Sequence, residues 1–255
     1  MDEKELKDRL EKITPRLLPH VGMLLLLPSS GAPPSDVICN GTASFIDTGT
    51  AKLLVTCGHV IDRFNELREA NPHAVLAVGA GNGVPPVIVS DAHLVENGGT
   101  RLDLAVLRLP DPERITGSGK SYFRAEVWPP IRAMEGQVAV LLGFPGAHRA
   151  SSAGGLDARA TPVCDFVTSV SARHIVLADG DMVRVAVKCN PDLDELTSLG
   201  GMSGSAVYVV DEARNIPQLV GFMYESGEGI HATIFVAHAA FLRADGALDH
   251  HAMPW

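Results

Sequence analysis

The chain has 255 residues, 46% of them apolar and 20% charged, with 25 glycines and 17 prolines. Such a composition suits a turn-rich globular protein with one large core or two small ones, and it excludes disorder. A formal net charge of −9 argues against a general nucleic-acid binder, which needs a basic face.

The N-terminal stretch Met1-Asp2-Glu3-Lys4-Glu5-Leu6-Lys7 is mixed in charge, unlike the basic start and apolar core of a secretory signal. An unexported, cytoplasmic protein is expected. Residues 2–17 carry Leu6, Leu10, Ile13 and Leu17 on one helical stripe, which predicts a short amphipathic helix on the outside of the domain. Pro15 should bend or end it. The run Met23-Leu24-Leu25-Leu26-Leu27 stops at Pro28, far short of the roughly 20 residues of a membrane span.

Short β-rich segments follow, punctuated by Gly, Pro, Ser and Asp: 21–27, 37–46, 52–56, 74–78, 86–89 and 102–109, with one helix near 60–70. The stretch 110–130 is rich in Pro, Gly and charge and has no sustained period, as a linker would be. A second series of strands is expected at 137–142, 160–167, 174–177, 182–188, 205–210, 218–224 and 232–236, then a closing helix at 237–243. Two runs of many short strands suggest two antiparallel barrels side by side, with a cleft between them. The expected divisions are 1–19 (helical extension), 20–112 (first barrel), 113–130 (linker), 131–243 (second barrel) and 244–255 (tail).

Gly200-Gly201-Met202-Ser203-Gly204-Ser205 reads as a tight turn presenting one serine before a buried strand. A serine needs a base to become a nucleophile, and its site needs donors for the oxyanion. Glycines around it let backbone N–H groups converge. His59 stands where the apolar strand Leu53-Leu54-Val55-Thr56 gives way to a helix, a rigid mount for a general base. Asp103 begins the apolar strand Leu104-Ala105-Val106-Leu107, where a carboxylate needs a partner such as a histidine N–H. Asp62 and Asp91 are rival acids in more polar, turn-like surroundings.

The order of Thr56-Cys57-Gly58-His59-Val60, Asp103-Leu104-Ala105-Val106-Leu107 and Gly201-Met202-Ser203-Gly204-Ser205 resembles the trypsin/chymotrypsin-like serine peptidases. Val138 to Gly146 looks like the strand and turn that open the second barrel in bacterial members. Val220-Gly221-Phe222-Met223-Tyr224 resembles the strand lining the substrate pocket. The resemblance spans residues 20–243. It implies an all-β fold of two six-stranded barrels with a short N-terminal and a C-terminal helix. It also implies a triad of His59, Asp103 and Ser203, and an oxyanion hole from the N–H groups of Gly201 and Ser203. By motif offset the pocket would hold Thr197, Tyr224, Ser226 and Thr233. No carboxylate falls at its base, although Glu225 and Glu228 could reach a basic substrate from the rim.

Where many relatives have Asp or Asn, this chain has Met202, so its oxyanion loop must be held in another way, such as packing of Met202 into the second barrel. Cys39 and Cys57 fall near the site of a disulfide in secreted relatives, but Cys57 precedes His59, and reduced thiols are expected at all four cysteines (Cys164 and Cys189 included). No CxxC pair or finger-like histidine spacing occurs, so no metal or cofactor is expected. His250-His251 reads as solvated. The expected activity is a serine endopeptidase acting on proteins or peptides. The alternatives are a catalytically silent binding module on the same fold and a serine esterase. A latent site would call for an activating partner protein.

Overall fold

The computed structural model describes residues 3–32, 39–79, 84–146, 149–152, 155–172, 174–177, 199–211, 216–226 and 233–249. In chain order its elements begin with α1 (Glu3–Leu17), β1 (Val21–Leu27), β2 (Cys39–Asp47), β3 (Lys52–Cys57), α2 (Gly58–Ala70), β4 (Val75–Gly79), β5 (Val87–Ile88) and β6 (His93–Asn97). Next come α3 (Gly99–Leu102), β7 (Leu104–Arg108), α4 (Glu113–Gly117), β8 (Phe123–Arg124), β9 (Val138–Gly143), β10 (Arg149–Ser152) and β11 (Gly155–Ala158). The last are β12 (Thr161–Val170), β13 (His174–Leu177), β14 (Ala206–Asp211), β15 (Ile216–Ser226) and β16 (Ile234–His238). The strand expected at 182–188 lies outside the described residues.

β1 is buried along its whole length, as an unbroken apolar strand covered on both faces should be. It sits in the middle of a curled sheet of order β5-β4-β1-β2-β3-β7-β6, with β8 joined in parallel to β2. Its neighbours β2 and β4 are antiparallel to it. Among the described residues this first sheet is a curled half-barrel with no closing pair of strands. Its edge strand β5 is two residues long and follows Pro85-Pro86, which have no N–H to extend a ladder. The second half is a closed six-stranded barrel, β12-β13-β16-β15-β14-β9.

Each half has its own interior. Leu24, Leu26, Phe45, Leu54, Val78 and Leu107 fill the first sheet, and Leu141, Val163, Ile175, Val207, Val220 and Val236 fill the barrel. A third cluster joins the outer face of β1 (Leu25, Leu27) to Val138, Val140, Leu142 and Cys164 of the barrel. Leu10, Ile13 and Leu17 of α1 belong to this shared cluster. The N-terminal helix keeps one face exposed at the surface, and its buried stripe packs on the joint between the halves. The Leu6 side chain lies outside the described residues.

The helix expected at 237–243 is replaced by strand and one turn. Ala237 and His238 are held in the barrel ladder opposite Phe222 and Gly221, and only Ala239–Phe241 turn, as a 3-10 helix. Tertiary pairing has overridden local helix propensity there. Within the stretch read as a linker, α4 buries Ile115, and Phe123 of β8 lies edge-on to Tyr208 at 4.8 Å. No helix among the described residues is long and apolar enough to cross a membrane.

Ile13 is fully buried in the joint. Ile13→Ala should destabilise the fold by about 2–5 kcal/mol, measured as a fall in urea midpoint with little change in slope.

Candidate active site

β3 ends at Cys57 and α2 begins at Gly58, so His59 sits in the first turn of a helix. The N–H groups of that turn have no partner within the helix. Asp103 accepts from two of them, because Gly58 N–H donates to its carbonyl at 3.0 Å and His59 N–H to its Oδ1 at 2.8 Å. Its other oxygen, Oδ2, lies 2.6 Å from His59 Nδ1. One carboxylate thus fixes both the main chain and the ring of the same residue. An ionised carboxylate only accepts, so Nδ1 carries the proton and Nε2 keeps its lone pair.

Asp103 reaches this position from a left-handed conformation (φ 48°) between α3 and β7, a region that aspartate tolerates better than most residues. Of the rival acids, Asp91 is held by Arg114 at 2.8 Å. Asp62 accepts a hydrogen bond from Asn97 at 3.3 Å and acts on His59 only at longer range. The Asp103 hydrogen bond raises the pKa of His59 above its ordinary value, partial burial opposes it, and the charges of Asp103 and Asp62 add to the rise.

Ser203 is half-buried in the turn before β14. Six carbonyls in succession around it are engaged. Gly200 O accepts from Gly146 N–H (2.6 Å), Gly201 O from Thr42 Oγ1 (2.9 Å), and Met202 O from Ser205 N–H and Oγ (2.9 and 2.6 Å). Ser203 O accepts from Thr42 N–H (3.0 Å), Gly204 O from Ser44 Oγ (2.8 Å), and Ser205 O from Met223 N–H (2.9 Å). The N–H groups of residues 202, 204, 205 and 206 are also taken, by Leu199 O, Met223 O, Met202 O and Ser44 Oγ. Between residues 201 and 206, only Gly201 and Ser203 have N–H groups with no partner among the described residues.

The direction of those two N–H groups follows from geometry. In a trans peptide the C=O of one residue and the N–H of the next point opposite ways. With Gly200 O held by Gly146 and Met202 O by Ser205, the N–H groups of Gly201 and Ser203 point away from those partners. Gly201 and Gly204 have φ of 94° and 97°, a region where side chains are strained. A Cβ on Gly204 would also collide with the Thr42 carbonyl and the Thr56 Cα. Met202 is fully buried within the barrel core, as its departure from the family pattern led us to expect.

Ser203 Oγ makes no hydrogen bond to His59 in this structure. Catalytic hydrogen bonds are often long in unliganded sites and tighten when substrate binds. The Ser203 side chain instead meets Cys57, a free, buried thiol. Burial pushes that thiol well above its usual range, the Asp103 charge adds to the rise, and Ser203 and the Gly204 backbone oppose it. Cys57 Sγ also donates to Met223 O at 3.3 Å, joining β3 to β15. Donor atoms of Cys57, His59 and Asp103 lie within 4.8 Å of one another. They are committed to these internal bonds, so nothing in the arrangement favours a metal.

Tyr224 and Ser226 lie on β15, which pairs with β14 just beyond Ser203, and Tyr224 is tilted against Phe235 at 6.3 Å. Glu225 is exposed and Thr233 half-buried, while Thr197, Glu228, Cys189 and His250-His251 lie outside the described residues. A cavity of about 270 Å³ lined by Arg16, His20, Phe123, Arg124 and Gln218 shares no residue with this site. Sequence reasoning missed Thr42, Ser44, Thr56 and Ser205, all fully buried. The available signal was two hydroxyls two residues apart on β2, hence on one face of the strand, alternating with the apolar Ala43 and Phe45.

No protein-family model matches the sequence, and no curated protein matches it. Solved structures do match the fold. A thermostable serine protease from an extremophilic microorganism superposes with a TM-score of 0.50 at 10% identity, over 86% of this chain and 91% of that one. Human heparin binding protein superposes with a TM-score of 0.50 at 15% identity, over 89% of each chain. The chain has the chymotrypsin-like double β-barrel fold. At this identity the likeness establishes the fold and leaves activity to be argued from the site.

The raised pKa predicts that His59 titrates above 6.5, its ordinary value. The sign follows from Asp103 favouring the charged ring. In Asp103→Asn the midpoint should fall toward or below that value, read from the ring-proton NMR shift against pH.

Proposed function

We propose that the chain is a serine endopeptidase. The observation that carries this reading is the hydrogen bond from His59 Nδ1 to Asp103, which leaves Nε2 as the ring's acceptor, together with a serine turn whose Gly201 and Ser203 N–H groups have no partner among the described residues. Donors fixed in advance around a developing oxyanion are commonly the largest single contribution to acyl-transfer catalysis.

In this mechanism Ser203 Oγ attacks the substrate carbonyl carbon and His59 Nε2 takes the hydroxyl proton. Asp103 holds the ring and stabilises the imidazolium. The carbonyl oxygen becomes an oxyanion held by the N–H groups of Gly201 and Ser203. Collapse breaks the C–N bond, and the amine leaves with the proton from His59. Water, deprotonated by His59, then releases the acyl group from Ser203. The peptide would lie along β15, with Tyr224 and Ser226 in the wall that chooses the side chain. The reading includes a cytoplasmic location and a protein or peptide substrate.

A second reading, a binding module on the same scaffold, is favoured by one observation: Ser203 Oγ and His59 are not hydrogen-bonded. Intact-mass labelling with a fluorophosphonate separates the two. One adduct is expected on the wild type and none on Ser203→Ala or His59→Ala. Asp103→Asn should slow labelling by about 10³–10⁴-fold. A wild type that takes no adduct would sink the peptidase reading and leave the binding module.

A further inference from the structure

We infer that Thr42 and Ser44 are positioning residues that lock the nucleophile turn from the opposite half of the molecule, so that the oxyanion donors are set without a partner. Their role in the reaction rests on the peptidase reading; their grip on the turn does not. Both lie on β2, two residues apart and fully buried. Thr42 holds two turn carbonyls, with Oγ1 donating to Gly201 O at 2.9 Å and its N–H to Ser203 O at 3.0 Å. The same Oγ1 accepts from Phe144 N–H at 3.1 Å, in the turn that also binds Gly200 O through Gly146. Ser44 Oγ bridges Gly204 O and Ala206 N–H at 2.8 Å each.

Each hydroxyl donates its single proton to a turn carbonyl and accepts one N–H, so neither has a second proton to offer. Thr42 is itself anchored, its carbonyl accepting from Thr56 Oγ1 at 2.9 Å. The lock is thus threaded from β3 through β2 into the turn. Removing the Thr42 hydroxyl would take away the donor of Gly201 O, in a half-buried site, and the buried acceptor of Phe144 N–H. The least costly relief is rotation of the peptides around Gly201, and that rotation turns its N–H away from the oxyanion position.

The variants that test this are Thr42→Val, which keeps the shape and deletes the hydroxyl, Ser44→Ala, and Thr42→Ser as the rescue. Thr48→Val serves as a control. The Thr48 hydroxyl is also mostly buried and bonds Ala244 O at 2.6 Å, but it touches nothing in the turn. Hydrogen exchange of peptides covering residues 199–206 reports the grip without needing activity. We expect slow exchange in the wild type alone in solution, at least about tenfold faster exchange in Thr42→Val and Ser44→Ala, and near-wild-type exchange in Thr42→Ser and Thr48→Val. On an ester substrate, Thr42→Val should lower kcat about 10–100-fold with KM changed less than about threefold, and Thr42→Ser should restore most of it.

Unchanged exchange over 199–206 in Thr42→Val, or exchange already fast in the isolated wild type, would overturn the inference. So would equal losses of kcat in Thr42→Val and Thr48→Val, because general destabilisation would then explain both. Faster exchange in Thr42→Val together with no fluorophosphonate adduct on any chain would support the lock and overturn only the peptidase reading.

Discussion

A turn wedged between two sheets cannot leave its peptide groups to water, and each one left unpaired there costs about 1–3 kcal/mol. The carbonyls from Gly200 to Ser205 meet this constraint by drawing donors from both halves: Thr42 and Ser44 on β2, and Gly146, Ser205 and Met223 in the barrel. Once those carbonyls are fixed, the orientation of the intervening N–H groups is no longer free. The two with no partner among the described residues, at Gly201 and Ser203, take their direction as a by-product of satisfying the rest. The polar demands of the joint and the chemistry of the site are therefore one problem with one solution.

Asp103 plays the equivalent part for the base. Its carboxylate takes the main-chain N–H and the ring Nδ1 of His59, and its own carbonyl takes the N–H of Gly58. The start of α2 and the tautomer of the imidazole are thus set by a single residue. Cys57 at the end of β3 is bonded across to the β15 backbone, so the strand that leads into the helix carrying His59 is tied to β15.

The three motif residues and the β-rich architecture were legible in the sequence because each rests on a local signal. The signals are a glycine turn before an apolar strand for Ser203, a strand-to-helix change for His59, and a lone acid at the head of an apolar strand for Asp103. What was not legible depended on distant partners. Thr42 and Ser44 look like ordinary β-strand polar residues until Gly201 and Gly204 arrive from about 160 positions away. Ala237 and His238 have helical neighbours and become strand only because Phe222 and Gly221 offer a ladder. The helical stripe of α1 was clear, but one stripe cannot say whether it covers one surface or closes the gap between two. Nor could composition tell that the first half would be a curled half-barrel sheet among the described residues and the second a closed barrel, because strand pairing joins distant segments.

The bonds from β2 to the serine turn join residues 159 to 162 positions apart. Loop closure over such a distance must precede any gain from the contacts, which places them late in folding. His59 and Asp103 can meet when only the first half has formed, whereas Ser203 acquires its setting after the second half has closed and docked. A chain still being synthesised can therefore join His59 to Asp103 before the turn that carries Ser203 has been set.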